Sequence, residues 1–118
     1  MTEPLQQGGL LVVCLCAAWC KTCTEFHGTF DKLAKENGAA KFVWLDVEDD
    51  SALVGDIEIE NFPTLAVFRG EAPLFYGVTM PQEGVVARTL ASLSQPDRDS
   101  IQVSLEIAGL PQALGARL

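Results

Sequence analysis

Apolar residues run almost unbroken from Leu10 to Ala18, after a Gly8-Gly9 turn signal. Leu11, Val12, Val13 and Leu15 are apolar on both alternating faces, which predicts a buried strand over residues 10–16. Beyond it the period changes. Cys23, Phe26, Phe30, Leu33 and Ala34 recur at helical spacing, predicting a helix over about 20–37 that Asn37-Gly38 ends. Lys41 to Val47 reads as a second strand, and Asp49, Asp50 or Ser51 can cap a short helical stretch leading to Ile57. Thr64 to Phe68 is a third strand, Arg69 to Pro73 turns it, and Leu74 to Val78 returns as a fourth. Pro81 then opens a helix to about Ser94, with Val85, Val86, Leu90 and Leu93 on its apolar side. The order β-α-β-α-β-β-α implies an α/β domain: two strands joined through a helix pair in parallel, and the late hairpin is antiparallel.

The 118 residues suit one such domain, spanning residues 1–95, and a 48% hydrophobic content supplies a real core without disulfide staples. The net charge of −8 leaves no basic patch for nucleic acid or for an anionic membrane surface, so neither partner is expected. The Leu10–Ala18 run is too short to span a bilayer, and Met1-Thr2-Glu3-Pro4 lacks the basic flank of a secretory signal. The expected compartment is therefore the reducing cytoplasm, where close cysteines are more often catalytic or metal-binding than structural.

Candidate chemistry concentrates where the strand meets the first helix, at Trp19-Cys20-Lys21-Thr22-Cys23. Two cysteines separated by two residues can close a small disulfide. The first sits where unpaired helix N–H groups and the helix dipole favour a thiolate, and the Lys21 ammonium beside it acts in the same direction. Redox chemistry follows from this segment alone. Four cysteines within ten residues also raise a zinc or iron–sulfur rival. Against it, Cys14 and Cys16 lie two apart on one strand while Cys20 and Cys23 open a helix, so closing all four around one ion would distort the strand. No metal and no other cofactor is expected. Cys14 and Cys16 read as small hydrophobes filling the core, with an auxiliary redox role, such as a disulfide with the active pair, as the alternative. The acids Asp46, Glu48, Asp49 and Asp50 are scattered by strand alternation and read as a solvated face and a cap. Trp44 reads as core or near-core.

Residues 8 to 95 resemble the thioredoxin-like superfamily in three separate places. Trp19-Cys20-Lys21-Thr22-Cys23 is similar to the family's W-C-x-x-C active site. Phe62-Pro63-Thr64, opening a strand, is similar to its cis-proline motif, and Phe68-Arg69-Gly70-Glu71 with Gly77 is similar to its hairpin. The resemblance implies a central mixed four-stranded sheet flanked by helices. It also implies a thiol–disulfide oxidoreductase in which Cys20 attacks a substrate disulfide and Cys23 resolves the mixed disulfide. Trp19 and Phe62 would shape the docking surface, Pro63 would present backbone to an extended substrate, and Lys21 and Thr22 would tune the pair. Protein disulfides and an upstream thiol reductant are the implied partners of a monomer.

The chain also departs from that family. Lys21 and Thr22 stand where thioredoxin has glycine and proline, and Gly28 stands where it has a kinking proline. Cys14 occupies the position of a buried aspartate, and Trp44 that of the lysine opposite. Glu25 and His27 are candidate substitutes for the lost base, although a histidine at the helix boundary without a chemical role is the plainer reading. The chain reaches its cysteines too early for an additional leading strand and helix, so the shorter core is expected.

Past Gln95-Pro96-Asp97-Arg98-Asp99, the residues Ile101, Val103, Leu105 and Ile107 alternate with polar ones. This predicts a C-terminal appendage over 96–118, strand-like or mobile, that adds to a free sheet edge in its own chain or a dimer partner's. Its deletion is expected to leave the cysteine chemistry intact. The alternative function is a thioredoxin-fold binding module or assembly factor with secondary redox activity, favoured by the lost buried acid and by the tail.

Overall fold

The computed structural model describes residues 10–55, 57–95 and 98–115. The elements follow the expected order: β1 (Leu11–Cys16), α1 (Lys21–Glu36), β2 (Lys41–Asp46), α2 (Ser51–Val54), β3 (Thr64–Arg69), β4 (Ala72–Val78) and α3 (Glu83–Leu93). Two short helices, α4 (Leu105–Ala108) and α5 (Leu110–Ala113), come after them. The four strands form one mixed sheet in the order β2-β1-β3-β4. β1 pairs in parallel with β2, and β3 is antiparallel to both β1 and β4.

Strand alternation divides the core in two. The even residues of β1 (Val12, Cys14 and Cys16) point to the layer holding Cys23, Phe26, Phe30 and Leu33 of α1 and Val86, Leu90 and Leu93 of α3. The odd residues (Leu11, Val13 and Leu15) point to the opposite layer with Leu45, Val54, Ala66 and Phe68. Because both faces are covered, β1 is buried along its whole length, which is why it reads as an uninterrupted apolar run.

Local chemistry sets the boundaries. Asn37 ends α1, its backbone N–H and its side-chain Nδ2 both donating to Leu33 O. Gly70, with φ +62°, opens the two-residue connection between β3 and β4 as in a type II′ turn, a conformation that disfavours any side chain. The acidic run forms a turn: Asp46 Oδ1 accepts from the N–H groups of Glu48 and Asp49 (2.8 and 3.0 Å), and Asp50 Oδ2 accepts from Asp46 N–H (2.9 Å).

The C-terminal segment corrects the expected strand. Residues 98–104 carry no regular structure, although Ile101 N–H donates to Pro73 O at the β4 edge (2.8 Å). The period-two pattern fails because Ile101 and Leu105 are 41% and 87% exposed. What is buried instead is Ile107, Leu110 and Leu114, at helical spacing against the second core layer. Ser104 Oγ accepts from Ile107 N–H at the start of α4, and Pro111 lies in the first turn of α5, where its missing N–H costs no helical bond. The Gly8-Gly9 turn signal and the polar break at residues 96 and 97 lie outside the described residues.

Candidate active site

The end of β1 and the start of α1 are joined by a tight turn in which Cys20 N–H donates to Ala17 O (3.0 Å). Cys20 directly precedes α1 with extended backbone, and its carbonyl accepts from Thr24 N–H (3.1 Å) and Thr24 Oγ1 (3.2 Å). Its half-buried thiol therefore stands at the positive end of a 16-residue helix. Lys21 points to solvent and Thr22 is half-buried, whereas Cys23, one turn into the helix, is fully buried with Phe26 and Phe30.

The disulfide in the structure joins Cys16 to Cys23, with Cα atoms 5.7 Å apart, while Cys14 and Cys20 are free thiols. The bond expected between Cys20 and Cys23 is thus not the one present. The reason is geometric. The last inward position of β1 and the first inward position of α1 face each other across the strand–helix junction, within the Cα range a disulfide accepts. Cys14 lies below them, its sulfur 3.8 Å from that of Cys16 and its backbone paired in register with Trp44. Burial pushes the Cys14 thiol far above the ordinary thiol range, so it stays protonated.

A second group of expected residues meets beside Cys20. The Trp19 ring, 67% exposed, stands edge-on to Phe62 with centroids 5.6 Å apart, and Phe62 and Cys20 both pack on the first core layer. The Phe62–Pro63 peptide bond is cis. Its loop is held by three hydrogen bonds: Phe62 N–H to Asn61 Oδ1 (2.8 Å), Thr64 Oγ1 to Asn61 O (2.6 Å) and Thr79 N–H to Pro63 O (3.0 Å). The last bond sets Val78 and Met80, both exposed, next to this loop.

His27 is not brought into that group. It is exposed, its ring stacked 4.4 Å from Trp44, on the wall of a cavity of about 230 Å³ lined also by Ala17, Ala18, Cys23, Thr24 and Asp46. Trp44 is near-core, as expected: half-buried against the first core layer, it contacts Phe26, Phe30 and His27 and forms one side of that cavity. Among the described residues no group of three or more His, Cys, Asp or Glu side chains is arranged to hold a metal ion, and no helix is long and apolar enough to cross a membrane.

Comparison with known proteins agrees with this fold. Residues 2–93 match the family model described as Thioredoxin. The chain is 31% identical over 84 residues to the thioredoxin of Echinococcus granulosus, covering 70% of this chain and 78% of that protein. It is 30% identical over 69 residues to the thioredoxin of Staphylococcus saprophyticus, covering 58% and 66% of the two chains. In structure it is similar to the germline-specific thioredoxin Deadhead of Drosophila melanogaster, with a TM-score of 0.64, 24% identity, and coverage of 75% of this chain and 84% of that one. With a disulfide closed between the first strand and the first helix, these matches define a protein-disulfide oxidoreductase. More particularly, the chain belongs to the thioredoxin family.

Proposed function

We propose that the protein exchanges disulfides with protein substrates through Cys20 and Cys23, drawing electrons from an upstream thiol reductant in the cytoplasm. The observation that carries this reading is the free, partly exposed Cys20 thiol at the start of α1, beside the Trp19–Phe62 wall and one turn from Cys23. In the reduced protein the Cys20 thiolate attacks one sulfur of a substrate disulfide. A mixed disulfide forms, and the other substrate sulfur leaves as a thiolate that takes a proton from solvent. Cys23 then attacks Cys20 Sγ, releasing the second substrate thiol and leaving the protein oxidised by two electrons. Trp19 and Phe62 offer an apolar wall beside Cys20, the exposed Val78 and Met80 extend it next to the Pro63 loop, and that loop offers backbone to an extended substrate chain. Lys21 adds a positive charge at the helix start, next to Cys20 in the chain.

The test is reduction of insulin disulfides with a strong chemical reductant recycling the protein. The wild type is expected to accelerate the reaction and Cys20→Ser to fall to the uncatalysed background while remaining folded. A wild type without activity would sink the oxidoreductase role of this site and favour a binding module with incidental cysteines.

A further inference from the structure

Cys16 is unused by the exchange just described, yet it is the residue bonded to Cys23. We propose that Cys16 is a third redox-active thiol, which takes the disulfide over from Cys20 and stores the oxidised state in the core. This inference rests on the reading of Cys20 as the attacking thiol and extends it by one step.

The placement follows from two periodicities. Strand alternation turns Cys16 toward the α1 layer, and helical spacing turns Cys23 toward the sheet. Cys23 therefore stands between two possible partners, Cys20 one helical turn before it and Cys16 at the strand end, with Cα 5.7 Å away. A sulfur that reaches both is the pivot of an internal thiol–disulfide exchange. Cys14 is a poorer candidate for that step. It lies one strand repeat deeper, with its sulfur against Cys16, and its sulfur is not the one facing Cys23 across the junction.

The chemistry balances without a further reactant. After a substrate has been reduced, the protein carries a Cys20–Cys23 disulfide. Cys16 sulfur attacks Cys23 Sγ, the Cys16–Cys23 bond forms, and the Cys20–Cys23 bond breaks. Cys20 departs as a thiol, taking the proton that Cys16 gives up. No net oxidation occurs in this step; the two-electron oxidation moves from an exposed pair to a buried one. The product is the state in the structure: a buried disulfide with Cys20 free. In that state Cys20 is open to a second substrate but has no resolving thiol, so a mixed disulfide formed there persists until a reductant opens Cys16–Cys23.

The sequence allows a direct test, because cleavage after Trp19 and Lys21 puts Cys16, Cys20 and Cys23 on three different peptides. The fully reduced wild type is oxidised with equimolar diamide, labelled with N-ethylmaleimide, digested with trypsin and chymotrypsin and mapped by mass spectrometry. The expected product is a Cys16–Cys23 cross-link with the label on Cys20. In Cys16→Ala the oxidised pair is expected to revert to Cys20–Cys23, with Cys20 labelling falling at least about tenfold. Cys16→Val, which refills the strand end, serves if the alanine variant does not fold, and the wild-type map needs no variant. Insulin reduction is followed on the same wild-type sample. Intact insulin reduction with a Cys20–Cys23 cross-link and label on Cys16 overturns this inference alone. Absent insulin reduction overturns the Cys20 exchange and this inference with it.

Discussion

The two faces of the sheet are covered by different means and do different work. On one, α1 and α3 pack over the even residues of β1, and this layer holds Cys14, Cys16 and Cys23, with Cys20 at its edge. On the other, α2, α4 and α5 cover Leu11, Val13 and Leu15, and no cysteine faces that layer. A single strand, six residues long, sorts the two: its alternation sends sulfur one way and branched aliphatics the other. The lesson is that reactivity and stability are separable here, residue by residue, along β1. Damage to the second face should cost stability and spare the chemistry of each folded molecule. Damage around Cys20 should do the reverse.

The largest expected effect breaks the second face. Leu110→Ala removes a fully buried side chain that packs beneath the sheet, a loss of about 2–5 kcal/mol. Urea unfolding should show it as a lower midpoint, with insulin reduction per folded molecule unchanged. Lost exchange in the folded variant would show that the faces are coupled. A smaller effect is expected on the first face. Phe62→Ala removes the partner of Trp19 and part of the docking wall, so kcat/KM for a protein disulfide should fall roughly two- to tenfold. Its rate with a small disulfide such as oxidised glutathione should change less; equal losses on both would argue against docking.

The smallest effect is a titration on the second face. The Tyr76 hydroxyl donates to Glu58 O (2.8 Å), and its pKa is raised by burial first and by the Glu60 and Glu58 carboxylates next. Its folded value lies above its unfolded value. Its contribution to stability is therefore complete below the ordinary tyrosine value of 10.0 and is lost as pH rises above it. Tyr76→Phe should flatten the alkaline fall of the unfolding midpoint and cost about 1 kcal/mol or less at neutral pH. An unchanged alkaline slope in Tyr76→Phe would assign that fall to other groups.

Much of this was legible because it depends on local periodicity. The apolar run of β1, the helical spacing of Cys23, Phe26, Phe30 and Leu33, and the Gly70 turn each fix an element from neighbouring residues alone. The tail reads as a strand in the sequence because two periods overlap there. Ile101, Val103, Leu105 and Ile107 alternate, but Ile107, Leu110 and Leu114 are also helically spaced, and the open face beneath the sheet selects the second set. The Cys16–Cys23 bond needed one step more. Alternation alone turns Cys16 inward and helical spacing alone turns Cys23 inward; only the turn at Ala17–Cys20, which sets strand end against helix start, brings the two sulfurs together.

The central claim is that Cys20 is the thiol that meets the substrate. It is tested most directly by trapping with Cys23→Ser, which removes the resolving sulfur. Incubated with a protein disulfide, this variant should accumulate a mixed disulfide whose linkage maps to Cys20, and adding Cys20→Ser should abolish it. An adduct that maps to Cys14 or Cys16, or one that survives Cys20→Ser, would contradict the account.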